Sequence, residues 1–344
     1  MRRVAALLTL LVATGVPARA LAVEQVATPA PAPAVEQVAT PAPAPAAPPA
    51  GTPATATPLA LTLQRVGGQR VTVLTGQRIR VRGATGVFVP GESMTVRFYS
   101  SGREVRAMQV VLRPGAQGGG AFRISYRPDR PGPLVVRVSQ TATAAPGDAI
   151  ASSGEVDVLP RRVGRRSSSG AVRALQRRLA RLGYRVGRRG VYDARTSRAV
   201  LAFRKMTGMA RTFVASRGVM RAIARGAGAF KIRQPAHGRH VEADLSRQVM
   251  ALIEGGTVRR IYPISSGKPS TPTVIGSFRV YVKHFGTNAK GMVHSAYFTG
   301  AYATHGYPSV PVYPASHGCL RVPMAEALSL FRWMRIGTPV DVYR

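Results

Sequence analysis

Residues 23–46 are one twelve-residue string, VEQVATPAPAPA, written twice, and Ala and Pro continue to about residue 58. Such a stretch cannot build a core. Recurring Pro removes backbone donors and favours an extended, polyproline-like chain. Residues 23–58 are therefore expected to be a disordered spacer whose physical contribution is reach. At ~150 residues per domain, a chain of 344 residues suggests two or three domains.

Ahead of the spacer, residues 1–22 read as a secretory signal peptide. Arg2 and Arg3 supply the positive start, and Val4 to Val16 is an apolar run shorter than the ~20 residues of a membrane-spanning helix. Ala18-Arg19-Ala20 and Ala20-Leu21-Ala22 both fit a small-x-small cleavage site. An uncleaved N-terminal anchor is the alternative. The expectation is an exported protein of the periplasm or cell wall, with no transmembrane domain after cleavage.

Lys and Arg total 49 against 14 Asp and Glu, a formal charge of +35, and all but five of these cations are Arg. The charge favours anionic polymers in general. Arg is scattered through every segment and aromatics are only 6%, so the basic-aromatic patches of nucleic-acid recognition are not in evidence and no nucleic-acid partner is expected. Retention on an acidic matrix is expected to weaken with salt. The single cysteine, Cys319, excludes an intramolecular disulfide and a multi-cysteine zinc site.

Residues 59–159 alternate with period two in several short runs: Val71 and Val73; Ile79 and Val81; Met94, Val96 and Phe98; Phe122, Ile124 and Tyr126; Leu134, Val136 and Val138; Val156 and Val158. Gly and Pro turns separate them, which predicts a small β-sandwich of immunoglobulin type. Residues 160–169 read as a basic, flexible linker. After it the period becomes helical. Val172, Leu175, Leu179 and Leu182 share one face, Gly183 ends that helix, Asp193 is a good N-cap, and Ala199, Val200 and Phe203 form the next buried face. A third helix is expected over Val219–Ala224, making a three-helix domain of residues 170–226.

This stretch resembles the type 1 peptidoglycan-binding domain family. The resemblance lies in VRALQRRLARLGY, the Gly190-x-Tyr192-Asp193 turn, Thr196 and Ala199-Val200-x-x-Phe203. The second helix departs from the family at its end, where Arg204-Lys205 replaces a more usual Gln. The resemblance implies attachment to the wall.

Residues 240–344 return to strands: Val241–Leu245, Gln248–Ile253, Val258–Ile264, Ser277–Val282 and Thr338–Tyr343. Glu254-Gly255-Gly256-Thr257 is a hairpin signal. A helix is expected over Met324–Met334, with Leu328 and Phe331 on one face. Asp244 fits a strand or turn role.

The informative block is Thr304-His305-Gly306 followed by Ser316-His317-Gly318-Cys319-Leu320-Arg321. A thiol is mostly protonated at neutral pH, and a nearby imidazole can take its proton and leave a thiolate–imidazolium pair. Gly318 permits close backbone approach and frees turn amides for a developing oxyanion. On chemistry alone three readings stay open: a buried structural cysteine, a zinc site of His305, His317 and Cys319, or a Cys–His nucleophilic site.

His305-Gly306 followed by Ser-His-Gly-Cys-x-Arg resembles the catalytic signature of the L,D-transpeptidase family. The similarity runs from His240 to Tyr343 through Ala243–Gln248, Ser266-Gly267-Lys268-Pro269, Thr271-Pro272-Thr273 and Ile275–Phe278. It implies a multidomain, mainly β protein with a mainly β catalytic domain. It further implies that Cys319 attacks the third residue of a tetrapeptide stem, releases D-alanine, and passes the acyl group to a second stem as a 3→3 cross-link. His305 would be the base, oriented by the Gly306 carbonyl. Amides of His317, Gly318 and Cys319 would form the oxyanion hole. Ser316 would shape the turn, Arg321 would pair with a stem carboxylate, and Met292, Tyr297 and Tyr302 would line the groove. No cofactor or metal is expected, and carbapenem-type inhibitors are. The alternatives are an L,D-carboxypeptidase that trims tetrapeptide stems and a non-catalytic wall-binding protein.

Overall fold

A computed structural model of the chain describes residues 59–64, 72–140 and 151–344. The segments read as signal peptide and tandem repeat, and Val71, lie outside the described residues. The described residues pack as one contact unit.

The first part is a two-sheet sandwich. One sheet has the order Leu59–Gln64, Ile79–Thr85, Gly120–Tyr126, Arg113–Pro114. The other runs Thr72–Leu74, Val156–Leu159, Gly132–Gln140, Ser93–Ser100, Arg103–Val111, with Ala151–Ser152 also paired to Gly132–Gln140. Val81 from the first sheet and Val96, Phe98, Val136 and Val138 from the second are buried in a common core. Alternation along Ile79–Thr85 puts Ile79 and Val81 inward and Arg80 outward, as period two requires.

Three helices follow: α1 (Ser169–Arg181), α2 (Ala194–Met206) and α3 (Arg217–Ala224). Ser168 caps α1 by accepting from the Ala171 amide, and Asp193 caps α2 by accepting from the Thr196 amide at 2.7 Å. Gly183 follows α1 at φ +90, where a Cβ would be strained. Within the stretch 160–169, read from its composition as a flexible linker, Arg161, Arg162, Arg165 and Arg166 are exposed and Val163 is an anchor. Val163 is fully buried and its amide donates to the Ala215 carbonyl at 2.9 Å.

The C-terminal part has two sheets and helix α4 (Met324–Trp333). The first sheet runs Thr257–Pro263, Val249–Glu254, His240–Asp244, Pro339–Tyr343, Gly276–Arg279. The second runs Val282–Thr287, Val293–Thr299, Tyr302–Tyr307, Leu320–Pro323. The hairpin at Gly255-Gly256 forms with both glycines at positive φ, as a two-residue turn demands. Two readings change. The strand expected over Ser277–Val282 breaks, because Val280 is buried and the chain crosses there from one sheet to the other: the Val280 amide donates to Thr338 and the Tyr281 amide to Tyr297. In α4 the buried face is Ala327 and Leu330, continued by Met334, rather than Leu328 and Phe331. Phe331 packs beside Phe285 and His294.

Strand Val249–Glu254 joins the modules. Met250 and Leu252 enter the core of the C-terminal part with Val241, Tyr262 and Leu330. Val249, Ala251 and Ile253 enter a second core with Leu175, Leu179, Val200 and Phe203 of the helices and Leu74 and Leu159 of the sandwich. A strand buried on both faces needs an unbroken apolar run, which is why Val249–Ile253 shows no alternation with polar residues.

Candidate active site

The site forms where two strands run parallel. Tyr302–Tyr307 pairs with Leu320–Pro323 so that His305 faces Arg321 and Thr304 faces Leu320. Cys319 lies immediately before the second strand, two residues from Arg321, so period two turns both side chains toward the same side as His305. These residues line a cavity of about 390 Å³ together with Asn288, Lys290, Met292, Tyr297, Tyr307, Ser316 and His317. No Asp or Glu lines it. Lys290 and Arg321 give it a cationic wall, and the Arg321 guanidinium rests over the Tyr307 ring at 4.2 Å.

His305 is 2% exposed. Its Nδ1 lies 2.9 Å from the Gly306 carbonyl. A carbonyl only accepts, so Nδ1 carries the proton and Nε2 is left as the basic nitrogen. Burial lowers the affinity of His305 for a second proton, and the Arg321 charge adds to this against the opposing pull of the Gly306 carbonyl. Burial also raises the Cys319 thiol above its ordinary range, against the lowering effects of the Ala303 amide, Arg321 and Lys290. Both shifts favour the neutral thiol and neutral imidazole at rest. Desolvation therefore disfavours a thiolate–imidazolium pair at rest.

The Cys319 turn is held from below by residues 265–273. Ser266 O accepts from the Ala315 and Ser316 amides at 2.8 and 2.9 Å. Ser316 O accepts from the Lys268 amide and the Thr271 hydroxyl. Thr273 donates its hydroxyl to Gly318 O at 2.7 Å. Within the turn the Ser316 hydroxyl donates to Cys319 O at 2.6 Å and accepts from the Gly318 amide at 3.1 Å. The Gly318 N–H, expected to contribute to the oxyanion hole, donates within the turn to Ser316 Oγ in this structure. Gly318 has φ +115, and an added Cβ would stand 2.1 Å from the Tyr302 ring. Tyr302 is accordingly a packing residue under the turn and not one of the cavity-lining residues; the strand places its ring toward the core of the C-terminal part. Met292 and Tyr297 do line the cavity.

His317 is exposed at the rim. Among the described residues no group of three or more His, Cys, Asp or Glu is arranged to hold a metal ion, so the three-ligand arrangement of His305, His317 and Cys319 is not formed. Tyr307, Asn288 and Lys290 were not anticipated. Tyr307 was legible as the i+2 neighbour of His305 on a strand. Asn288 and Lys290 enter through a turn in which Asn288 Oδ1 accepts from the Lys290 and Met292 amides, and Asn288 Nδ2 donates to the Tyr297 hydroxyl at 3.2 Å. No sequence spacing signals that approach.

Residues 238–342 match the L,D-transpeptidase catalytic domain family, and residues 168–223 match the peptidoglycan binding domain family. The chain is 35% identical to an L,D-transpeptidase from Xylanimonas cellulosilytica, covering 54% of this chain and 98% of that one at a TM-score of 0.48. It is 29% identical to the catalytic domain of the Enterococcus faecium L,D-transpeptidase, over 31% of this chain and 98% of that one (TM-score 0.28), and that domain also has a structure acylated by ertapenem. No curated protein matches. By its family match, the region of residues 238–342 is an L,D-transpeptidase catalytic domain. The chain joins that catalytic domain to a peptidoglycan-binding domain in one polypeptide, the composition of a peptidoglycan L,D-transpeptidase.

Proposed function

We propose that this protein forms 3→3 cross-links between peptidoglycan stems through a thioester on Cys319. The observation that carries the reading is the His305 Nδ1–Gly306 contact, which leaves Nε2 basic in a cavity shared with the chain's single thiol. As Cys319 Sγ attacks the carbonyl of the third stem residue, its proton passes to His305 Nε2. The tetrahedral oxyanion forms beside the Cys319 turn, with the His317 and Cys319 amides as candidate donors. The C–N bond to the terminal D-alanine then breaks, and its amine takes the proton from His305. The side-chain amine of a second stem attacks the thioester, gives up a proton through His305, and returns the thiol. Arg321 and Lys290 attract the stem's carboxylates. The helical domain holds the enzyme on the wall, and the N-terminal sequence supports action outside the cytoplasmic membrane. Ertapenem acylates the Enterococcus faecium relative, and the same class of inhibitor is expected to acylate Cys319.

Incubation of the protein with disaccharide-tetrapeptide, followed by mass spectrometry, tests the reading. A dimer formed with loss of D-alanine, absent with Cys319→Ala, is the expected result. Tripeptide without dimer, with acceptor in excess, would make the protein an L,D-carboxypeptidase. Turnover retained in Cys319→Ala would refute the mechanism.

A further inference from the structure

Several cations join the helical domain to the C-terminal domain: Arg185 and Arg195 meet Glu326 of α4, whereas two others, Lys205 and Arg211, reach backbone carbonyls close to the Cys319 turn. Lys205, in the last turn of α2, is 3% exposed, and its Nζ donates to Ile264 O at 2.8 Å and to Gln248 O at 3.2 Å. Arg211 donates from Nη1 to Val312 O at 3.0 Å and from Nη2 to Ser246 O at 3.1 Å. Among the described residues no carboxylate pairs with Lys205. Burying an ammonium without a counter-ion is costly, and apolar packing already joins the two domains. The lysine therefore has to be explained by what its carbonyl partners do.

Those partners lie next to the bonds that hold the Cys319 turn. Ile264 precedes Ser265, whose backbone pairs in both directions with Arg321 and whose hydroxyl donates to Tyr313 O at 2.7 Å. Val312 precedes Tyr313. The Gln248 side chain donates to Ser266 Oγ at 2.6 Å and accepts from the Ser266 amide, and Ser266 O holds Ala315 and Ser316. Lys205 is directed differently from the residue before it. Its neighbour Arg204 closes the domain's own loop on Ala210, Val214 and Ser216, while Lys205 reaches outward.

We propose that Lys205 and Arg211 are positioning residues: by fixing the strand end at Ile264 and the loop at Val312, the wall-binding domain completes the active site in which Cys319 is acylated. This rests on Cys319 being the nucleophile. In the full chain, Lys205→Met and Arg211→Ala are compared with Arg178→Ala, which removes a contact of the same domain to Asp157 and Thr72 of the sandwich. Two rates are read well below the melting temperature, Cys319 acylation by ertapenem and Cys319 alkylation by iodoacetamide, and the melting temperature is measured separately. Displacing a reacting group by a fraction of an ångström predicts about tenfold slower acylation in the first two variants. Alkylation, which needs only access to the thiol, should change little. Arg178→Ala should melt earlier and acylate normally. Should Lys205→Met fail to fold, half-buried Arg211→Ala and donor-retaining Lys205→Arg carry the same comparison, the latter with its rate preserved. Wild-type acylation rates in folded Lys205→Met and Arg211→Ala, or equal slowing in Arg178→Ala, would overturn the proposal. A wild type that iodoacetamide labels and ertapenem does not would remove the nucleophile reading beneath it.

Discussion

The hydroxyl of Thr273 donates to the carbonyl of Gly318 at 2.7 Å while accepting from the Gly267 amide at 2.9 Å. One side chain thereby ties the residue before the cysteine to a loop 45 positions earlier. Thr273→Val keeps the shape and deletes both bonds, leaving buried backbone groups unpaired at about 1–3 kcal/mol. The variant is expected to melt several degrees lower and to lose about tenfold in Cys319 acylation. Unchanged melting and acylation would show that the other bonds of the turn suffice.

Gly318 is constrained twice, by its positive φ and by the Tyr302 ring over its α-carbon. Gly318→Ala must push the ring or the turn aside, and overpacking of this kind costs about 1–3 kcal/mol. Combining it with Tyr302→Ala relieves the clash and leaves the φ penalty. The double variant should therefore destabilise by less than the sum of the two single ones. Strict additivity in denaturant unfolding would rule the contact out as the cause.

Desolvation raises the Cys319 thiol and lowers His305, so the free protein at neutral pH holds thiol and neutral imidazole. Its iodoacetamide reactivity is expected to rise continuously with pH up to and beyond the ordinary thiol range of about 8.5. A reactivity plateau below pH 7 would reveal a resting thiolate and contradict the neutral pair.

Lys205 gives a stability signature of its own. Burial, helped by Arg211, pushes its pKa from 10.5 to about 7. The unfolded chain keeps the proton up to the ordinary lysine range, so between pH 7 and about 10 it binds more protons than the native state, and stability rises with pH. Against Lys205→Met, which cannot titrate there, the wild type should gain stability steadily from pH 7 to 9.5 in urea unfolding. A flat or falling difference would mean that the amine stays charged in its site.

Much of this molecule was legible before any coordinates. The helix cap at Asp193, the Gly255-Gly256 hairpin and the alternation of Ile79 with Val81 are set by neighbours within a few residues, so local chemistry specified them. The Ser316–Cys319 turn and His305 were legible as a thiol in a Gly-containing turn with an imidazole upstream, residue types that suit a nucleophilic site. Other features depend on which distant segments pack together. Two-sided burial of Val249–Ile253 arises because the helices cover one face of the sheet. Burial of Val163 follows from the Ala215 strand bridge, and Tyr302 leaves the groove because Gly318 offers it a flat seat. Asn288 and Lys290 reach the cavity only through a turn between two strands, and Lys205 finds its carbonyls on another domain. The sequence by itself determined the modules and the reactive residues, since those follow from short-range pattern and chemical type. Tertiary packing decided their protonation and their support, because desolvation and hydrogen-bond partners are properties of neighbours brought together across the chain.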